Sequence, residues 1–174
     1  AALRMLAEAS SRLGRYADAE QLLVRCLELA PSFVAARHNY AIVLQRLGRS
    51  ADALRELDGL LAADPRNGSL RSLKAAALAR LGEYERSIEA YESVLTDYPG
   101  QAKLWMSLGH AVKTTGRQQR CIEVYRRSIE LEASLGEAWW SLANLKTYRF
   151  SEAVVAAMRG QLACADLSDE DRLH

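Results

Sequence analysis

Proline, phenylalanine and long apolar runs are all scarce in this sequence. Its 174 residues include three prolines and two phenylalanines. Few prolines among many Ala, Leu, Glu and Arg residues favour an all-helical chain, because proline interrupts helices and the other four residue types extend them. No apolar run approaches the roughly 18–20 residues of a transmembrane helix, and no basic segment followed by an apolar one opens the sequence. We therefore expect neither a membrane partner nor a signal peptide.

A charge excess and paired cysteines are also lacking. Basic and acidic residues number 23 and 22, which gives a formal net charge of +1. This balance argues against nucleic acid or an anionic membrane as the partner, although a local basic patch can still exist. The three cysteines, Cys26, Cys121 and Cys164, have no paired spacing. An odd, scattered set predicts reduced thiols in a cytoplasmic protein rather than a disulfide frame or a zinc site.

What the sequence does have is a period of 34 residues. Glycines mark it at Gly14, Gly48, Gly82 and Gly116, and prolines at Pro31, Pro65 and Pro99, with Ala133 in the place of a fourth. Two columns of small residues keep the same register: Ala7, Ala41, Ala75, Gly109 and Ala143, and Ala19, Ala53, Ser87 and Cys121. Four columns in one register indicate a repeat architecture.

Each repeat is interpreted as a helical hairpin. Leu3, Leu6, Ala7 and Ser10 recur at helical spacing on one face. The glycine ends the first helix by adopting a left-handed conformation, and the proline ends the second. Large residues, among them the column Leu23, Leu57, Tyr91 and Tyr125, fill the space beside the small ones. One hairpin cannot offset the entropy of ordering its residues, so neighbouring hairpins must stack.

The spacing of Trp105, Leu108, Gly109, Gly116 and Tyr125 resembles the tetratricopeptide repeat family. This resemblance implies an all-α, right-handed superhelical solenoid of antiparallel helix pairs. We place four units at about 1–33, 34–67, 68–101 and 102–135, and an irregular fifth hairpin at 136–164. In the fifth unit Tyr148–Ser151 replaces the glycine turn. Residues 165–174 are predicted to be a linker and the start of a truncated helix, opened by a capping box at Ser168–Asp171 with Leu167 as its hydrophobic staple.

A narrower resemblance covers roughly residues 97–174. The segments GEAWWSLANLKTYRF at 136–150 and LSDEDRLH at 167–174 are similar to the region before the catalytic domain of bacterial tetratricopeptide-repeat sulfotransferases. The resemblance implies a parent with a sulfotransferase domain that uses 3′-phosphoadenosine 5′-phosphosulfate. The family's phosphosulfate loop has no match in this chain, so we expect no cofactor and no catalysis here. Because a helix opens at Ser168 and Ala1 enters in mid-pattern, we also expect a longer protein.

Features that suggest chemistry have simpler interpretations. Leu47–Ser50 has the look of a phosphate loop, but it occupies the inter-helix turn that all units share, after a helix rather than a strand. The histidines His38, His110 and His174 fall in different units without cysteine or carboxylate at ligand spacing, so no metal site is predicted. Cys26 and Cys121 lie in small-residue core columns. Trp105 and Trp139 share a core column, whereas Trp140 must face elsewhere.

The binding surface follows from the resemblance alone, which implies that the first helix of each hairpin lines the concave side. One column of that side is Ser11, Gln45, Ala79, Lys113 and Thr147. The candidate contact residues are Arg4, Arg12, His38, Gln45, Arg46, Arg80, Lys103, Met106, His110, Lys113, Trp140 and Asn144. Six basic side chains on these faces stand against two acidic ones, Glu8 and Glu137. A surface with a net charge of +4 favours an acidic peptide, and helix-end arginines that only complement the helix dipole are the alternative.

Two function classes stay open for the chain. It is either a non-catalytic protein-interaction module, the docking arm of a larger sulfotransferase, or a stand-alone structural adaptor or oligomerisation scaffold unrelated to sulfation. The expected partner is a protein or peptide. The fixed Lys and Asn positions with which some tetratricopeptide domains clamp a C-terminal carboxylate are not reproduced, so a chaperone tail is not favoured.

Overall fold

A computed structural model describes residues 1–146 and 148–174; Thr147, predicted to lie on a first-helix face, is outside the described residues. Every regular element in these residues is an α-helix. The helices are α1 (Ala2–Arg12), α2 (Tyr16–Leu29), α3 (Val34–Arg46), α4 (Ser50–Ala63), α5 (Gly68–Arg80), α6 (Tyr84–Asp97), α7 (Ala102–Thr114), α8 (Gln118–Leu131), α9 (Gly136–Ala143), α10 (Glu152–Leu162) and α11 (Asp169–Leu173). The predicted all-α class is confirmed.

The four predicted glycine turns are confirmed. Gly14, Gly48, Gly82 and Gly116 have φ angles of 74°, 78°, 81° and 75°. After the first of them the amide of Arg15 donates to the carbonyl of Ser10 at 2.9 Å, and Arg49 repeats this bond to Leu44. This bond closes a helix whose next residue is left-handed, a conformation that only glycine adopts without strain.

The second helices end at one fixed distance before the proline column. α2, α4 and α6 end at Leu29, Ala63 and Asp97, two residues before Pro31, Pro65 and Pro99. Proline pushes the residue before it out of the helical region, so the helix cannot run on.

A side-chain hydrogen bond returns from the next first helix to this proline loop. The Arg37 guanidinium donates to the carbonyl of Pro31, and the Trp105 indole donates to that of Pro99, both at 2.8 Å. The Trp139 indole makes the same bond to Ala133 at 2.8 Å. Arg37, Trp105 and Trp139 occupy one repeat position, so a common bond is made by two kinds of side chain.

The chain divides into two compact units, Ala1–Ala90 and Tyr91–His174. The boundary lies inside α6 and does not coincide with a repeat boundary. In the first unit α1 to α5 form two buried clusters, with Leu23 and Leu57 at their centres. Both leucines have no exposed surface, and burial stabilises each by about 1.5–3 kcal/mol.

In the second unit the core of α7, α8 and α9 is partly aromatic. Tyr125 is fully buried and Trp139 nearly so. The Tyr125 ring fills the space beside Gly109, where an added Cβ would lie 2.5 Å from the ring. The Ser128 hydroxyl donates to the carbonyl of Ala102 at 2.9 Å and joins α8 to the start of α7.

The C-terminal elements keep the period although the fifth hairpin is irregular. α9 begins 34 residues after α7, and α11 begins 33 residues after α9. α11 packs on α9, and an added Cβ at Gly136 would lie 2.1 Å from the Asp171 carbonyl oxygen. α11 therefore follows α9 in the register that α9 keeps with α7.

The predicted capping box at Ser168 is half right. The Ser168 hydroxyl accepts from the Asp171 amide at 3.1 Å, as expected for an N-cap. The Asp171 carboxylate, however, accepts from the Ser168 hydroxyl at 2.6 Å and from the Gly136 amide at 3.1 Å. Packing against α9 brings an uncapped helix amide within reach, and the carboxylate caps that helix as well.

Candidate functional site

In the first unit the predicted contacts at the start of the chain neutralise one another. Arg4 and Arg12 each donate to a different carboxylate oxygen of Glu8 at 3.0 Å. The three side chains are one helical turn apart on α1, where pairs of opposite charge meet. These two arginines therefore present less free positive charge than their number suggests.

Gln45 was expected outside the core, and this expectation is wrong. Only 7% of the residue is exposed, and its amide donates to the Leu73 carbonyl at 2.8 Å. The reason is that first helices pack on one another as well as on second helices: α1 contacts α3, and α3 contacts α5. The Gln45 amide holds α3 to α5.

Arg46 and Arg80 are the last residues of α3 and α5, and both are exposed. Neither forms an ion pair within the described part of the chain. Each lies at the negative end of a helix dipole, which favours a cation there. His38 is half-buried, and burial lowers its pKa, so the imidazole is neutral at neutral pH.

In the second unit Met106 corrects the same expectation as Gln45. It is 8% exposed and belongs to the core. Lys103, the second residue of α7, and Lys113, in its last turn, are both exposed. Among the residues that the structure describes, neither lysine has an acidic partner within ion-pair distance.

His110 links three successive helices of the second unit. Its Nδ1 lies 3.0 Å from the Tyr125 hydroxyl, and its Nε2 lies 3.4 Å from a Glu137 carboxylate oxygen. The His110 and Tyr125 rings meet edge to face, with centroids 5.6 Å apart. With the proton on Nε2, the imidazole accepts from Tyr125 and donates to Glu137.

Burial lowers the pKa of His110, and nearby Lys113 lowers it further, while Glu137 acts in the opposite direction. Burial also raises the pKa of the Tyr125 hydroxyl. At neutral pH both groups are therefore uncharged, and their bond is a neutral one.

Trp140 faces away from the core, as the sequence predicts, and is 50% exposed. The Asn144 side-chain amide donates to its carbonyl at 3.1 Å, and the His174 ring lies 6.0 Å from the indole. An exposed indole beside polar groups is suited to anchor a partner.

Sequence reasoning missed the link from Tyr125 through His110 to Glu137. The tyrosine was recognised as core and the other two as first-helix surface. A signal was present, because a buried tyrosine hydroxyl needs a hydrogen-bond partner and the facing helix offers His110.

The described residues offer little for catalysis. No group of three or more His, Cys, Asp and Glu side chains among them is arranged to hold a metal ion. Cys26 and Cys121 are buried in the core, as predicted, and burial raises the pKa of the Cys121 thiol. A raised pKa keeps the thiol protonated and a poor nucleophile. No helix in the described ranges has the length and apolarity to cross a membrane.

Two family models match parts of the chain. Residues 11–77 match the tetratricopeptide repeat, and residues 69–138 match the bacterial transcriptional activator domain. No curated protein matches the chain. The first match supports the repeat type that the glycine and small-residue columns predict.

Solved structures match over nearly the whole chain. A thermophilic TPR protein of Thermus thermophilus is 22% identical, with 98% of this chain and 93% of that chain covered and a TM-score of 0.74. MamA of Desulfovibrio magneticus RS-1 is 18% identical, with coverage of 91% and 86% and a TM-score of 0.73. PilF of Pseudomonas aeruginosa is 21% identical, with coverage of 92% and 72% and a TM-score of 0.73. The chain therefore has the tetratricopeptide-type solenoid fold.

Proposed function

We propose that this chain is a non-catalytic protein-interaction module whose first helices bind an acidic, extended protein segment. The observation that carries the proposal is the set of exposed basic side chains on these helices that have no ion-pair partner within the described residues. They are Arg46 and Arg80 in the first unit and Lys103 and Lys113 in the second. Tetratricopeptide-type folds serve as protein-binding scaffolds, which agrees with this role.

The helix dipole accounts for part of this charge but not for all of it. Arg46, Arg80 and Lys113 stand in the last turns of their helices, where a cation is favoured without any ligand. Lys103 is the second residue of α7, where the dipole disfavours a positive charge. An acidic partner supplies a reason for Lys103 that helix stability does not.

Trp140 adds an apolar anchor in the second unit. Exposed charges raise the association rate and are screened by salt, and they add little affinity by themselves. A half-exposed indole can bury a large apolar area when a partner covers it. The partner therefore combines carboxylates with at least one apolar side chain, and binding weakens at high ionic strength.

A pull-down from cell extract tests the proposal. The immobilised chain is compared with the double variant Arg80→Glu and Lys113→Glu, which reverses one charge in each unit. The matched control is Arg25→Glu with Arg126→Glu, two exposed positions on second helices. We expect partner recovery to fall at least about tenfold in the first variant only. Recovery equal to wild type would remove the basic first-helix residues from the mechanism and favour the scaffold alternative.

The finer proposal, a docking arm of a larger sulfotransferase, rests on the resemblance of residues 97–174. It stays a prediction, as does the cytoplasmic location suggested by three scattered cysteines. The genomic sequence downstream of residue 174 tests the parentage. A phosphosulfate-binding strand, loop and helix there would support it, and a downstream region without one would overturn it.

A further inference from the structure

The turn between α7 and α8 is the basic one of the four glycine turns. At the same two positions the other turns carry one basic and one acidic residue, which pair: Arg15 with Asp18, Arg49 with Asp52, and Glu83 with Arg86. In the fourth turn these positions are Arg117 and Arg120. From Lys113 to Arg120 the sequence contains no acidic residue.

A depression of about 300 Å³ lies at this turn, within the second unit. Lys113, Gly116 and Gln118 line it from the turn, Cys121 from the first turn of α8, and Asn144, Leu145 and Lys146 from the segment that follows α9. We call this depression the basic turn pocket.

The charges of the basic turn pocket are unbalanced. Lys113 and Lys146 are both exposed, and neither has an ion-pair partner within residues 1–146 and 148–174. Burial raises the pKa of the Cys121 thiol, and the thiol donates to the Gly109 carbonyl at 3.5 Å. It therefore adds no negative charge. Two ammonium groups beside one depression repel each other, and an anion between them removes that repulsion.

The shape and floor of the pocket indicate which anion fits. Leu145 and Cys121 are 6% and 1% exposed, so the floor is apolar. The Gln118 side chain is exposed at the rim and can donate a hydrogen bond. A short apolar stem that ends in an acceptor group matches this arrangement, and a glutamate or aspartate side chain has this form.

We propose that the basic turn pocket binds an acidic side chain of a partner protein segment, with its carboxylate between Lys113 and Lys146 and its methylene groups on Leu145. This inference rests on the proposed function, because it assigns one anchoring point to the same acidic partner. The other basic first-helix residues contact the segment elsewhere.

Fluorescence anisotropy with fluorescein-labelled decaglutamate tests the pocket, with labelled decaglutamine as the uncharged probe. The test variant is Lys113→Gln with Lys146→Gln, and Lys113→Arg with Lys146→Arg retains the charge. The control is Arg126→Gln with Arg127→Gln, which removes the same charge from exposed positions of α8. We expect decaglutamate to bind about 5- to 10-fold more weakly to the test variant, and the other two variants to stay near wild type.

Each other outcome overturns the proposal. An equal loss in the control variant would mean diffuse charge attraction without a pocket. A test variant equal to wild type, while Arg80→Gln with Lys103→Gln weakens binding, would overturn the pocket and leave the proposed function standing. No binding of decaglutamate by wild type would overturn both, and binding of a phosphopeptide alone would assign the pocket to phosphate.

Discussion

The two units fill the same space between a first and a second helix with different side chains. In the first unit Ala41 on α3 and Leu57 on α4 share a buried cluster. In the second unit the equivalent residues are Gly109 on α7 and Tyr125 on α8, and the ring occupies the room that a Cβ would need. Volume has moved from one helix to the other. Their combined size, rather than either residue, sets the spacing of a helix pair.

Polar groups at the next position repeat with the same economy. The Ser87 hydroxyl donates to the Ala75 carbonyl at 2.8 Å, and Cys121, its equivalent, donates its thiol to the Gly109 carbonyl at 3.5 Å. The second unit adds the Tyr125 hydroxyl, which the leucine of the first unit cannot offer, and with it the link to His110. A larger residue thus brings a polar group that a neighbouring first helix must satisfy.

Gly109→Ala is expected to have the largest effect on this comparison. The new Cβ would lie 2.5 Å from Cε1 of Tyr125, and that ring is fully buried. Overpacking of this kind costs about 1–3 kcal/mol of unfolding free energy, which urea denaturation followed by circular dichroism measures. Adding Tyr125→Leu recreates the pair Ala41 and Leu57, so the double variant should lose less than the sum of the single losses. Simple additivity would contradict the shared-space account.

Gly59→Ala is the same substitution with the opposite expected sign. Gly59 lies inside α4, is exposed, and has nothing within 4 Å of an added Cβ. Alanine should therefore stabilise the helix by about 0.5–1 kcal/mol. Thermal unfolding monitored by far-ultraviolet circular dichroism measures the gain. A loss of stability would show that α4 bends or packs at this position in a way that the structure does not contain.

The histidines give the smallest expected effect, because both are only half-buried. Burial lowers the pKa of His38 and of His110 below the usual 6.5, but only His110 has a carboxylate, Glu137, that opposes the shift. Glu137→Gln should therefore lower the pKa of His110 further and leave His38 unchanged. Titration of the imidazole resonances by NMR measures both, with His110→Gln to assign the signal.

The sign for stability follows from the same shift. A histidine with a lowered folded-state pKa is protonated first in the unfolded chain, so its contribution is present above about pH 6.5 and is lost as the pH falls below that value. Stability that rises as the pH falls through this window would contradict the lowered values.

The sequence predicted the helix pairs and their turns because each depends on local chemistry. Gly48 sets its own backbone conformation, and Pro31 ends a helix whatever surrounds it. Gln45 and Met106 were misplaced because their burial depends on packing between successive first helices, which the 34-residue columns do not reveal. Glu137 and Lys146 were not recognised as neighbours of His110 and Lys113, since both pairings join side chains far apart in sequence.

The hydrogen bond from a first helix to the preceding proline loop has a consequence for how such repeats are detected. Arg37 and Trp105 supply it equally well, at 2.8 Å in both cases. A scoring scheme based on residue type treats arginine and tryptophan as unlike, although each carries an N–H on a long stem to the same carbonyl. At this position the repeat is defined by a donor atom at a given reach. A search profile written in functional groups would recover units that a residue-based profile passes over.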